Sequence, residues 1–210
     1  MIRGYHSMRS MLPKHIGFIP DGNRRWAQAR GLPREAGYAF GIAPGFELFE
    51  LCRSRAIEEV SVYGFTQDNT RRPSVQTERF KAACVQFADM ISMQGAALLV
   101  LGDERSPLFP EELKSFRERT GEGMKVNFLV NYDWEWDLEG LRSGSLRSSD
   151  ISRLDLVVRW GGGRRLSGFL PVQSVYADIF VVDEYWPDFE ASQFERALTW
   201  FSQQDRTLGG

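Results

Sequence analysis

Short β-rich apolar runs alternate with helix-periodic stretches along most of this chain, and that alternation limits the possible folds more than any other feature. Residues 15–20, 60–65, 97–101, 126–130, 154–159 and 179–182 each read as a short buried strand. Between them, 39–55 carries Phe40, Phe46, Phe49 and Cys52 at helical spacing, and 76–93 carries Phe80, Cys84, Phe87 and Ile91. A helix over 110–119 is expected from its leading proline, and another over 166–177. Ser192 and Glu195 have capping-box spacing and are expected to open a last helix through Phe194, Leu198 and Phe201. Strand–helix–strand repeats imply right-handed crossovers and therefore an α/β fold, a mostly parallel six-stranded sheet flanked by helices. The 210 residues suit one such domain over 1–210, with 1–14 expected as a flexible N-terminal segment.

Composition removes several function classes. A net charge of −2 gives no general attraction to nucleic acid. The longest apolar run, 96–101, is too short to cross a bilayer, and the first residues lack a signal-peptide core, so a cytoplasmic protein is expected. Cys52 and Cys84 sit in apolar helical patterns and read as buried small residues, not as a disulfide or zinc site. With His6 and His15 as the only histidines, sites needing several imidazoles are excluded. Of 26 basic residues, 22 are arginine, whose planar fork suits phosphate. A GC-rich genome explains such a ratio equally well, but not where the arginines cluster.

In parallel sheets of this kind, ligands bind beyond the C-terminal ends of the strands. After the first strand come Asp21, Gly22, Asn23, Arg24, Arg25 and Trp26. A carboxylate here could hold Mg²⁺ bridged to a diphosphate, and the residues after it could bind phosphate at a helix start. Read alone, Asp-Gly-Asn is simply a good turn. Arg30 and Arg34 follow, Arg71 and Arg72 come after the second strand, and Arg159, Arg164 and Arg165 surround three glycines after the fifth. Each cluster alone could be a solvated face. Their shared position after strands points to two phosphate-bearing ligands. No P-loop, aspartate-rich DDxxD or GxSxG motif occurs.

The segments HIGFIPDGNRRWAQARGLPREAGYAFG, VYGFTQDNTRRP and DLVVRWGGGRRLSGFLPVQSVYADIFVVDEYWPDF resemble, in order and interval, signatures of the cis-prenyltransferases, the undecaprenyl diphosphate synthase family. The resemblance implies a homodimer and Mg²⁺-dependent condensation of small isoprenoid diphosphates. It assigns Asp21 to metal and diphosphate, and Gly22, Asn23, Arg25, Arg34 and Arg72 to the allylic diphosphate. Trp26 falls in the same signature and is assigned to substrate binding. The second diphosphate goes to Arg159, Arg165 and Ser167. Asp178 stands where the family has a metal-binding glutamate. Thr66 and Asn69 match polar residues after the second strand and, with Tyr38 and Asp21, form the expected catalytic set. Tyr63, Phe65 and Trp160 are candidates to face a carbocation, with core packing as the alternative.

Departures from the family pattern shape the expected reaction. Gly163 replaces an acidic residue, Trp160 a threonine, Tyr38 a histidine and Thr70 a tryptophan, while Pro171 replaces a bulky residue. The stretch between Asp137 and Asp155 is short. Short family members with such departures join two dimethylallyl diphosphates head to middle, so the expected product is cyclolavandulyl diphosphate, formed by coupling and cyclisation. The alternatives are a short-chain elongating synthase using isopentenyl diphosphate, or a noncatalytic partner subunit. Retention of the arginines and Asp21 argues against the last.

Overall fold

A computed structural model describes residues 12–204, so most of the expected N-terminal segment, 1–11, lies outside the described residues. Among these, strands β1 (His15–Ile19), β2 (Glu59–Tyr63), β3 (Ala97–Leu101), β4 (Lys125–Leu129), β5 (Leu156–Arg159) and β6 (Asp178–Val181) form one all-parallel sheet in the order β3-β4-β2-β1-β5-β6. The helices are α1 (Asn23–Ala29), α2 (Ala36–Phe40), α3 (Ile42–Ser54), α4 (Ser74–Met93), α5 (Trp134–Glu139) and α6 (Ala191–Phe201). All five residues of β1 are buried, as expected for a central strand covered on both faces. Ile16 and Phe18 face a core shared with Leu48, Phe49, Phe87, Ile91 and Phe194 from the long helices. Ile19 points the other way, into a smaller core with Tyr63, Tyr132, Phe169 and Leu170.

Four helical expectations are corrected. The segment 166–177 is a run of turns, because Ser167, Gly168 and Leu170 have φ of 52°, 78° and 37°, which a right-handed helix cannot include, and Pro171 follows. The stretch 110–119 forms only a 3₁₀ segment at Glu111–Phe116. The last helix is capped by Glu190 and Gln193 instead of Ser192 and Glu195, and Glu195 instead pairs with Arg55 at 2.7 Å. The helix expected over 39–55 is interrupted at Gly41, whose carbonyl accepts a hydrogen bond from Trp186 Nε1 at 2.9 Å.

The N-terminal ends of the central strands are tied by a buried polar network. His15 Nε2 lies 2.8 Å from Ser61 Oγ, and Asn127 donates to Glu59 Oε1 at 2.7 Å and to Ser61 at 3.0 Å. Ser152 donates to Glu59 Oε2, and Arg119 donates to Asn127 Oδ1. Burial lowers the pKa of His15 despite the opposing pull of Glu59. Burial alone would raise that of Glu59, but His15, Asn127 and Ser152 together outweigh it and hold Glu59 below its ordinary range. Unfolded His15 takes up a proton near 6.5 and the folded residue only at lower pH, so stability falls as pH drops below 6.5. Glu59 acts in the same direction below 4.5, where the unfolded state binds the proton first. The melting temperature is therefore expected to fall between neutral pH and about pH 5, and His15→Gln to flatten that slope. Thermal denaturation followed by circular dichroism across this range checks it; equal slopes in the two proteins would remove His15 from the account.

Candidate active site

The order of the sheet creates the site. From β1 the chain crosses to β2 on one side, while β5 and β6 lie on the other, so the switch in direction falls between β1 and β5. Asp21 follows β1 and Arg159 ends β5, and Arg159 Nη2 donates to Asp21 Oδ2 at 2.9 Å across that switch point. Arg159 is almost fully buried. Its Nη1 donates to Ser167 Oγ at 2.9 Å and to the carbonyl of Arg165, while Nε has no hydrogen-bond partner among the described residues. A Cβ at Gly163 would lie 2.7 Å from that Nε, so the position that carries an acid in the family pattern is here pressed against the guanidinium.

Asp21 Oδ1 accepts the Gly22 N–H at 2.6 Å, and Arg25 Nη2 lies 3.4 Å from Oδ2. Gly22 has φ of 104°, and a Cβ there would strike Tyr185 at 2.6 Å, so this turn into α1 demands glycine. The Arg25 guanidinium lies 5.0 Å from the centre of the Tyr185 ring. Asn23 donates to the Pro20 carbonyl at 3.1 Å, leaving its buried Oδ1 without a partner.

The loop after β2 supplies the opposite wall. Thr66 and Asn69 hold each other in a reciprocal cap: Asn69 N–H donates to Thr66 Oγ1 at 3.3 Å, and Thr66 N–H to Asn69 Oδ1 at 3.2 Å. Arg72 Nη1 donates to the Tyr38 hydroxyl at 2.9 Å. Burial lowers the pKa of Arg72, though Tyr38 counters it, and burial raises that of Tyr38, though Arg72 counters it. Tyr38 is thus a neutral phenol at ordinary pH. Tyr63 donates to the Ser167 carbonyl at 2.9 Å, and burial pushes its phenol well above the usual range.

These groups line one cleft of about 360 Å³. It brings together the predicted Asp21, Gly22, Asn23, Arg25, Arg34, Tyr38, Tyr63, Thr66, Asn69, Arg72, Arg159 and Ser167. Sequence reasoning missed Phe80 and Asp68 as lining residues and left Arg24 unassigned. In the sequence, Phe80 reads only as part of an apolar helix face. Its place in the second turn of α4, just after a strand-end loop, is the signal that could have marked it.

Four assignments are corrected. Trp160 is fully buried on the long-helix side of the sheet, donates to Gln193 Oε1 at 2.8 Å and packs on Phe18 and Trp186. Phe65 is fully buried against Phe80, with ring centres 5.4 Å apart. Trp26 is buried and donates to Asp188 at 2.6 Å. None of the three lines the cleft. The Arg165 side chain is exposed, and its backbone carbonyl accepts a hydrogen bond from Arg159. Asp178 begins β6 in register with Leu156 and Ile16, so it sits at the far end of the sheet, about 16 Å of strand length from Asp21.

Magnesium can be weighed against these residues. Among the described residues no group of three or more histidine, cysteine or acidic side chains could hold a metal. Asp21 is half-exposed at the cleft, and Mg²⁺ commonly takes one carboxylate with substrate phosphates and water. The site therefore fits Mg²⁺ that arrives with a diphosphate, through Asp21 and without Asp178.

The cleft is lined by arginines and adjoins an apolar wall. A family model described as "Putative undecaprenyl diphosphate synthase" matches residues 19–209. The chain belongs to the cis-prenyltransferase family. The ditrans,polycis-undecaprenyl-diphosphate synthase ((2E,6E)-farnesyl-diphosphate specific) of Photorhabdus laumondii is 30% identical over 98% of this chain and 92% of that protein. The enzyme of the same name from Legionella pneumophila is 30% identical over 96% and 98%. The crystal structure of lavandulyl diphosphate synthase from Lavandula x intermedia, in complex with dimethylallyl diphosphate, superposes with a TM-score of 0.82 at 22% identity, covering 95% of this chain and 99% of that one. At that identity the likeness carries the fold. This cis-prenyltransferase is a prenyl diphosphate synthase with a six-stranded, all-parallel central sheet. Among its described residues no helix is long and apolar enough to cross a membrane.

Asp21→Asn is expected to lower kcat by about 100-fold or more, as removal of a charged group at a reacting centre does. Trp160→Phe is expected to cost about 2 kcal/mol of stability by removing a buried hydrogen bond and volume, with KM for diphosphate substrates unchanged. Steady-state kinetics and urea denaturation of both variants check this; a raised KM in Trp160→Phe would return that residue to the site.

Proposed function

We propose that this cis-prenyltransferase is a short-chain elongating synthase, joining an allylic diphosphate to isopentenyl diphosphate with Mg²⁺. The observation that carries the reading is the contrast between two adjoining spaces. The arginine-lined cleft measures about 360 Å³, whereas the apolar cavity behind it measures about 70 Å³. Diphosphate heads have ample room; a prenyl tail has little. The relatives named as undecaprenyl diphosphate synthases support the elongating chemistry.

Arg25, Arg34 and Arg72 stand where the allylic diphosphate is held, and Arg159 with Ser167 where the second is held. Asp21 is the residue that would hold Mg²⁺ with the diphosphate, and the positive charge of the metal would stabilise the leaving group. The arginines add fixed positive charge where negative charge develops as the allylic C1–O bond breaks. The isopentenyl alkene forms the new bond to C1, and the proton lost next to the resulting cation passes to an oxygen of the departing diphosphate. Tyr63, Tyr38 and Phe80 wall the side on which the carbon skeleton lies and keep water from the cation. Thr66 and Asn69, locked by their reciprocal cap, hold the loop that carries Arg72.

One observation favours head-to-middle coupling of two dimethylallyl diphosphates towards a cyclolavandulyl skeleton. The grip on the second diphosphate has lost its acid at Gly163, leaving Arg159 Nε unpartnered. We also propose a homodimer through the edge strand β6 and the turns before it, where Ile179 on the strand and Val172, Val175 and Tyr176 in the turns are exposed.

Purified protein is to be incubated with MgCl₂ and dimethylallyl diphosphate, with and without isopentenyl diphosphate, and the dephosphorylated products identified by mass spectrometry. A short linear Z-prenyl alcohol formed only with isopentenyl diphosphate is expected. A branched or cyclic ten-carbon alcohol from dimethylallyl diphosphate alone would overturn the elongating reading.

A further inference from the structure

Resting on the reading above, we propose that the stacked pair Tyr38 and Phe80 is the stop that fixes product length in this chain. The two rings lie parallel, with centres 4.4 Å apart and an interplanar angle of 1°. Both line the polar cleft and the apolar cavity behind it, so the pair stands at the boundary between them. Behind that boundary the apolar space narrows further. The cavity of about 70 Å³ continues towards one of about 20 Å³, and the two share Pro20, Gly45, Val62, Phe87 and Trp186. A tail growing from the cleft must pass the stack before it reaches this space between α3, α4 and the sheet.

The pair is built to stay in place. The edge of fully buried Phe65 meets Phe80 at 5.4 Å and an angle of 82°. Arg72 donates to the Tyr38 hydroxyl at 2.9 Å, and its guanidinium lies 5.8 Å from the centre of the Phe80 ring. One arginine therefore touches both rings while facing the cleft that receives the diphosphate. Stacked aromatic pairs of this kind gain energy beyond the area they bury, and parting them also breaks the contact with Arg72. A phenol at position 38 is central to this arrangement. It supplies both a face for Phe80 and an oxygen that accepts from Arg72.

The test compares product lengths in the wild type, Tyr38→Phe, Tyr38→Ala and Phe80→Leu with excess isopentenyl diphosphate and MgCl₂. Tyr38→Phe keeps the stack and loses only the hydrogen bond, so its products should match the wild type in length. Tyr38→Ala and Phe80→Leu remove one ring, so the main product should lengthen by at least one isoprene unit. Unchanged length in both ring-removing variants that still turn over would overturn the proposal. So would lengthening in Tyr38→Phe equal to that in Tyr38→Ala. If Tyr38→Ala does not fold, the milder Phe80→Leu decides alone. A wild type that makes no isopentenyl-dependent product would instead refute the elongating reading, which separates the two failures.

Discussion

Burying a guanidinium at the end of β5 requires a counter-charge and several acceptors, because an unpaired charge inside a protein is very costly. Arg159 meets that requirement by drawing three segments together. It pairs with Asp21 after β1, Ser167 in the turns after β5, and the Arg165 carbonyl between them. The turn geometry follows from this. Ser167 adopts a left-handed backbone, which places its hydroxyl on Arg159 and its carbonyl on Tyr63. The cleft is thus a by-product of satisfying one buried cation. The same cation leaves positive charge at the switch point of the sheet, beside Asp21.

The second organising feature is the aromatic floor. Tyr38, Phe80 and Phe65 connect the loop after β2 to α2 and α4, while Trp160, Trp186 and Phe189 pack together on the same side of the sheet under the β5 end. In the proposed reading, Tyr38 and Phe80 both keep water from the reacting carbons and limit tail length. In that reading the arginines hold diphosphates of any tail, and the aromatic wall sets which tails fit.

The parts of this arrangement that were legible in the sequence are those written in periodicity and order. Six strands were recognisable from short β-rich runs, and the site's place after β1, β2 and β5 followed from the α/β pattern alone. Side-chain direction was less legible. Arg159 and Trp160 are adjacent and were both assigned to the site, yet successive residues leaving a strand point to opposite faces, so one enters the cleft and the other the core. Phe65 and Trp26 belong to site-bearing motifs but face inward for local reasons: Phe65, beyond the end of β2, packs against Phe80, and Trp26 lies on the buried side of α1 and donates to Asp188. Asp178 was misplaced because a motif records sequence position and not which end of a strand a residue occupies. The helix expected over 166–177 failed for a local cause, since backbone at positive φ cannot be inferred for Ser167 and Leu170 from residue type.

The two coupling modes considered for this chain share their first half. In each, an allylic C1–O bond would break beside Asp21 and the arginines, and an alkene would attack C1. They differ only in whether the attacking alkene belongs to isopentenyl or to dimethylallyl diphosphate, two molecules of equal charge and nearly equal size. Arginine forks read phosphate oxygens and are blind to that difference. Discrimination must therefore come from where the second diphosphate is seated relative to the apolar wall. Gly163 lets the backbone rest directly on Arg159, and Ser167 fixes the other side of the same guanidinium. A shift of this seat re-aims the alkene without changing any charged contact. The departure at position 163 therefore bears on reaction mode, and the aromatic wall on product length, so a change in either leaves the other readable.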